Sequence, residues 1–411
     1  MFSKVLISHP GKQHVHQVVY SLQQAGVLAK FITSLWYQPK KMPYNIVNFL
    51  PPRARSIVER EFKKRYFEKL DEKYIEQFPV LELIRKGLAW ALTENKKQVA
   101  IYLVHQIHDW HVSKSIARIN PDVIIGYETS SLKTFKEARQ RKIKTILDFS
   151  QVHYKFINVL IQRYAEFGSL FRDKRLLSKI NLIKEKELEY ADHIIALSDF
   201  AKKTLVTYGI KEERIHIANL GVDLDTFKQK TSYRKNGMFK VLYVGPITKR
   251  KGISILLEAY KQLNLKNAQL TLIGGMADAK GVLKNYEGIY KHIPYLLHKQ
   301  LASYYQDADI FVLPSYLDSW GMVVMEAMAS GTPVIISDNT GTKEAVRDNV
   351  DGFIIPSGDV EMLKDKIEFF YRNREKCGEL GSNARKQAEK YKWESYHDRM
   401  IHILREVYNR Q

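Results

Sequence analysis

Asp318 and Glu326 stand eight positions apart in FVLPSYLDSWGMVVMEAMASGTPVI, residues 311–335. Gly321 lies between them. The helical run MVVMEAMA follows, and Ser330-Gly331-Thr332-Pro333 stops that helix and leads into a strand. The backbone amides of Gly321, Met322 and Val323 then project from a helix N-terminus into the crevice at the strand ends, where open α/β sheets bind ligands. Glu326, about one turn further in, is placed to accept hydrogen bonds from two neighbouring hydroxyls such as those of a ribose, and Asp318 to reach the hydroxyls of a sugar. As plain structure, Asp318 would cap the helix and Glu326 would be a polar residue on an apolar one. A carboxylate flanked by Met325, Ala327 and Met328 is costly to bury without partners, which favours a ligand.

A second charged group lies in VLYVGPITKRKGISILLEAY, residues 241–260. The strand ends in Gly245, a short loop follows, and Lys251-Gly252 opens a helix. Loop and helix N-terminus form an anion site, to which Lys249, Arg250 and Lys251 add full charges. The spacing of a Walker A loop is absent. Taken alone, the segment also reads as an ordinary β-α turn with surface lysines.

These residues need a scaffold, and the apolar runs supply one. Strand-like runs at residues 4–8, 31–35, 122–127, 144–149, 193–197 and 214–219 alternate with amphipathic stretches. A second set follows at 240–245, 269–274, 289–293, 309–313, 333–337 and 353–355. Two sets of β-α units predict two doubly wound α/β domains, joined near residues 222–238, where VDLDTFKQKTSYRKNG is polar and without period. Residues 37–100 read as a long helical insertion that includes SIVEREFKKRYFEKLDEKYIEQF. The closing YKWESYHDRMIHILREVYNR is an amphipathic helix with no strand after it, expected to pack back on the first domain.

A length of 411 residues suits two cores, since single cores stop growing near ~250–300 residues. A hydrophobic fraction of 45% and a charged fraction of 27% are those of a globular chain. No stretch approaches the ~18 apolar residues of a spanning helix. MFSKVLISHPGK turns polar too soon for a signal peptide, and the lone Cys377 leaves no internal disulfide framework. This profile predicts a cytoplasmic protein. The net charge of +20 favours anionic partners, but the basic residues are scattered and show no nucleic-acid-binding pattern, so no nucleic-acid partner is expected.

The segment around Asp318 and Glu326 resembles the E-x7-E motif of glycosyltransferase family 4, retaining enzymes of the GT-B fold. IIALSDFAKKTLVTYGI, RIHIANLGVDLDTF, VGPITKRKG and DNVDGFIIPSGD fall around it in the family's order, so the resemblance covers most of residues 100–395. It implies two Rossmann-like domains facing across a cleft: residues 1–225 for the acceptor, 226–390 for a nucleotide-diphosphate-sugar donor, and a tail helix over 391–411. It also implies Lys251 and a nearby arginine on the diphosphate, Glu326 on the ribose, Asp318 at the sugar, and no divalent metal or other cofactor. The chain departs from the family pattern in four places. The first glutamate of the motif is Asp318. The arginine after the strand-end glycine is Pro246, which leaves Arg250 or Lys249 to act. The N-terminal glycine loop is reduced to Gly11, and residues 124–130, IIGYETS, lack the family's histidine. The histidine facing the anomeric carbon is therefore sought at His153 in ILDFSQVHY, which would hydrogen-bond the sugar, since front-face displacement needs no strong base. Gly11 and His14, with His16, form a first loop open to donor or acceptor, and equally to solvent.

The implied activity is sugar transfer to a glycan or lipid-linked acceptor in polysaccharide or glycolipid assembly. The aromatic and basic insertion suits an anionic headgroup on the inner membrane face. A nucleotide-sugar epimerase and a non-catalytic binder of glycan or nucleic acid are the alternatives. Asp223-Leu224-Asp225 and Asp307-Ala308-Asp309 match the metal-binding D-x-D pattern of the other large glycosyltransferase fold, but one lies in the linker and the other leads into a buried strand. His105, His108 and His111 advance too far around a helix to converge tightly on one ion.

Overall fold

Runs such as Val5-Leu6-Ile7 and Val334-Ile335-Ile336 are apolar on both faces, which suits parallel strands covered by helices above and below. In the computed structural model, which describes residues 4–12, 14–63, 65–88, 94–168, 173–233 and 236–409, they form two parallel sheets. The first holds β1 (Val5–Ser8), β2 (Leu28–Thr33), β3 (Ile75–Gln77), β4 (Val123–Tyr127), β5 (Lys144–Phe149), β6 (His193–Ala196) and β7 (Ile215–Ile217) in the order β3-β2-β1-β4-β5-β6-β7. The second holds β8 (Phe239–Val244), β9 (Ala268–Ile273), β10 (Tyr290–Ile293), β11 (Ile310–Leu313), β12 (Val334–Ser337) and β13 (Gly352–Ile355) in the order β10-β9-β8-β11-β12-β13. In each sheet the strand order reverses beside its first strand, which gives each a switch point of the kind where open α/β sheets bind ligands.

The insertion departs from its expected form. SIVEREFKKRYFEKLDEKYIEQF is not one helix: Pro52–Lys63 is helical, then Asp71 caps a short turn by accepting from the Lys73 amide at 3.0 Å. Ile75–Gln77 follow as β3, paired in parallel with Phe31–Thr33 of β2. The open edge of β2 offers backbone partners that local helix propensity cannot match. Residues 64 and 89–93 of the insertion lie outside the described residues.

Helix Trp393–Asn409 crosses back onto the first domain. It buries Tyr396, Met400, Ile403, Leu404 and Val407 against that half. His397 bonds Gln17 at 2.9 Å, and Arg399 donates to the Ile217 carbonyl at 3.0 Å. Just ahead of it, the Val222 amide donates to the Tyr391 carbonyl at 2.9 Å, and a Cβ on Gly221 would lie 2.4 Å from the Trp393 nitrogen. Across the cleft, Ser319 donates to the Ser150 carbonyl at 2.6 Å, and Glu344 accepts from the Asp199 amide at 2.6 Å.

Candidate active site

β8 leads through Gly245 to the turn Lys249–Lys251 and then to Gly252, whose φ is 68°. A Cβ on Gly252 would meet the Pro314 carbonyl oxygen at 1.9 Å, so only glycine lets this turn press against the segment after β11. That contact sets the Lys251 ammonium on the Asp318 carboxylate, in an ion pair with both side chains nearly buried. Burial lowers the Lys251 pKa, an effect Asp318 partly offsets. Burial would raise Asp318, but Lys251 and then Arg250 outweigh it and hold the carboxyl below its usual range. The backbone fixes Asp318 as well: its amide donates to the Asn339 carbonyl at 3.0 Å and its carbonyl accepts from Gly341 at 2.8 Å.

Gly321 takes a φ of 95° and starts helix Met322–Ala329 directly after this pair. Inside the helix Glu326 is 5% exposed, and its Oε2 accepts from the Tyr305 hydroxyl at 2.9 Å. Burial pushes its pKa up to about 7, against the pull of that bond.

A cavity of about 810 Å³ joins these groups across the cleft. Gly245, Lys251, Asp318, Gly321, Met322, Val323 and Glu326 line it from the second domain, and His14 lines it from the first. His14 Nε2 lies 2.8 Å from Asp148 Oδ2, both side chains buried, with the Tyr127 and Tyr396 rings beside the imidazole. A neutral or charged imidazole oriented by a carboxylate presents a fixed edge to a ligand. Sequence reasoning missed Asp148, although a single acid inside TILDF was a usable signal: a charge within a buried strand needs a partner.

Four expected positions do not line this cavity: Lys249, whose amide donates to Asp278 at 3.2 Å, and His153, Arg250 and Gly11. His153 is the N-cap of helix Tyr154–Arg163: its Nδ1 accepts from the Lys155 amide at 3.2 Å, and its ring stacks between Tyr154 and Tyr208. Burial lowers its pKa to about 4. The histidine expected at the anomeric carbon is thus a helix cap, and His14 stands at the cleft instead. Arg250 lies behind the cavity, its guanidinium donating to the Leu317 carbonyl at 3.3 Å, and reaches the site only through its charge. Gly11 donates to His9 Nδ1 at 2.8 Å and lines a separate cavity in the first domain. In activity assays, His14→Ala is expected to cost at least about tenfold in kcat/KM through a lost buried hydrogen bond. His153→Ala should stay within about threefold in kcat/KM and lose about 1 kcal/mol of stability as a missing cap. The opposite order in kinetics and thermal melts would return His153 to the reaction.

The other acidic and histidine motifs make structural bonds, although Asp223 also lines the cleft cavity and His105 the separate one in the first domain. Asp223 accepts from the Asp225 and Thr226 amides at 3.1 and 3.0 Å, closing a turn. Asp307 pairs with Lys240 at 2.6 Å and Asp309 with Arg374 at 3.3 Å. His105 bonds Thr129 at 2.8 Å, His108 bonds Ser8 at 3.0 Å, and Asp109 caps the helix after β4 through the Lys133 and Thr134 amides.

Comparison with known proteins agrees with this layout. Residues 225–387 match the family described as "Glycosyl transferases group 1", and residues 102–226 match "Glycosyltransferase Family 4". The capsular polysaccharide biosynthesis glycosyltransferase CapM of Staphylococcus aureus is 30% identical over 217 residues, covering 48% of this chain and 57% of CapM. The D-inositol 3-phosphate glycosyltransferase of Paenarthrobacter aurescens is 26% identical over 230 residues, 51% of this chain and 56% of that protein. The matched region therefore spans a little over half the length of these relatives. Among solved structures, sucrose-phosphate synthase of Thermosynechococcus elongatus superposes with a TM-score of 0.72 at 19% identity, covering 100% of both chains. Anabaena HepE in complex with UDP and glucose gives 0.66 at 14% identity, covering 98% of this chain and 100% of HepE. At those identities the likeness is one of fold. Two adjoining family matches, laid over two parallel α/β sheets that face each other across a charged cavity, show that the chain belongs to the family 4-like glycosyltransferases of GT-B fold.

Proposed function

We propose that the protein moves a sugar from a nucleotide-diphosphate sugar to a glycan or lipid-linked acceptor, with retention at the anomeric carbon, in the assembly of a cell-surface polysaccharide or glycolipid. The observation that carries this reading is the single cavity in which Lys251, Asp318, Glu326 and a helix N-terminus meet His14 from the opposite domain. Glu326 accepts the ribose hydroxyls. The amides at Gly321, Met322 and Val323, with the Lys251 ammonium, hold the diphosphate as its charge grows. Asp318 and His14 bind sugar hydroxyls from opposite sides. The bond from the anomeric carbon to the β-phosphate oxygen breaks as the acceptor oxygen bonds to the same face. The acceptor proton passes to the departing phosphate oxygen, so no strong protein base is called for.

Mass spectrometry of a nucleotide-sugar panel, with and without candidate acceptors, tests this reading. Transfer, or slow donor hydrolysis, supports it; an epimerised free nucleotide-sugar, or no turnover at all, overturns it. Nuclear magnetic resonance of the product checks retention. Activity undiminished by EDTA is expected, since the proposed chemistry is carried by protein groups.

The reading includes docking on the anionic inner face of a membrane from the cytoplasm. Among the described residues no helix is long and apolar enough to cross a bilayer. Phe49, 89% exposed, ends the turn Tyr44–Phe49, and Ile57, 56% exposed, lies in the next helix, Pro52–Lys63, which also carries Arg53, Arg55, Arg60 and Lys63. Liposome sedimentation should show binding that needs anionic lipid and weakens with salt. Phe49→Ser should reduce it about tenfold, the worth of one buried aromatic side chain. Binding indifferent to lipid charge and salt would retire this part.

A further inference from the structure

We propose that a second cavity, in the first domain, selects acceptors that carry an anionic group, a phosphate or a carboxylate, close to the accepting hydroxyl. This rests on the transferase reading and names the acceptor class for it. The cavity holds about 350 Å³, within the range of small-molecule sites, and shares Lys12 and Gln151 with the donor cavity, so the two adjoin.

Among the described residues its walls carry more cations than anions. Glu82, 3% exposed, is gripped by Arg85 through two bonds of 2.7 Å, and Arg65 donates to the same carboxylate at 3.2 Å. One carboxylate thus orients two guanidiniums whose side chains are only 14% and 19% exposed, and it balances one of them. Lys184 and Glu128 pair at 2.8 Å and balance each other. His9 and His105 do not change this sum at neutral pH: burial lowers both, His105 to about 4.

A neutral sugar needs only hydrogen-bonding groups. A surplus of poorly screened guanidinium is costly unless an anion completes it, and the paired forks suit the oxygens of a phosphate or carboxylate. The far wall is built to hold shape. Thr129, at a φ of 69°, is fastened by its amide to Glu187 at 2.6 Å and by its hydroxyl to His105 at 2.8 Å.

Calorimetric titration of the full chain with glucose 6-phosphate, methyl glucuronide and methyl glucoside tests the proposal, with nucleoside diphosphate titrated in parallel. Either charged probe should bind at least about tenfold more tightly than the neutral one, the order expected of a charge-assisted bond. The stronger of the two shows whether the source is phosphate or carboxylate. Arg85→Gln should erase the preference, with Arg65→Gln as a second variant, while nucleoside-diphosphate affinity reports an intact fold. Equal binding of charged and neutral probes, or a preference that survives both substitutions, overturns the proposal. An unsubstituted chain that prefers the charged probes yet binds no nucleoside diphosphate would instead sink the transferase reading.

Discussion

Glu326→Gln is expected to lower kcat/KM for the donor at least about a hundredfold and to remove the pH dependence of nucleotide binding. The carboxylate is buried, accepts one bond from Tyr305, and has acceptor capacity left for two hydroxyls. An amide offers one acceptor oxygen and no charge, so a pair of charge-assisted bonds worth roughly 3 kcal/mol is lost. The pH profile follows from burial, which pushes the Glu326 pKa up to about 7. Below that value a proton occupies the group and must leave before the ribose binds. Donor affinity should therefore fall about tenfold per pH unit below pH 7 and level off above it. Stability has the opposite sign. A folded pKa raised above the unfolded value of 4.5 means stability is fullest below 4.5 and declines as pH rises through about 7. Glu326→Gln should thus exceed the parent in melting temperature by more at pH 8 than at pH 5. Titrations and melts across that range check both statements; a flat binding profile in the unsubstituted protein would mean Glu326 does not touch the ligand.

Lys251→Ala should cost on the order of a hundredfold to a thousandfold in kcat/KM, the usual loss when a buried donor to developing negative charge is removed. The same substitution strips Asp318 of its ion-pair partner and leaves Arg250, acting at a distance, and the Trp320 amide to hold its pKa down. The Asp318 carboxyl should then take up a proton more readily. Asp318→Asn alone should also impair turnover, yet the double variant should be far less impaired than the product of the two single effects, because the groups act as a pair. Steady-state kinetics on the three variants, with nucleotide binding as control, make the comparison. Independent, multiplicative losses would mean that the ion pair has no shared role at the donor.

The fold was largely legible because parallel strands covered on both sides must be apolar throughout, and such runs stand out from the helices between them. That Asp318 and Glu326 would line one cavity was legible for a related reason: a carboxylate on an otherwise apolar eight-residue helix, with a second one just before it, is costly to bury without partners. β3 was not legible, since Ile75–Gln77 becomes a strand only by meeting the edge of β2, far away in sequence. His153 and His14 show the same limit at the site. Both follow strand-end loops, and nothing local tells a ring that caps a helix and stacks on Tyr208 from one that faces the cleft with Asp148 behind it. The arginines around Glu82 lay in a stretch that read only as basic and helical, because their convergence depends on how the insertion folds over the first loop.

The main chain passes between the two halves twice, once after Leu220 and again before Trp393, and the two passages run side by side, joined by the bond from Val222 to Tyr391. Such a paired crossing works as the spine of a book. Rotation about it changes the gap at the far margin most and strains the crossing itself least. In the proposed reading, opening to admit a donor and shutting to exclude water would need no unfolding of either half. A cross-link placed at the margin opposite the spine would arrest turnover, whereas one beside the spine would leave it running.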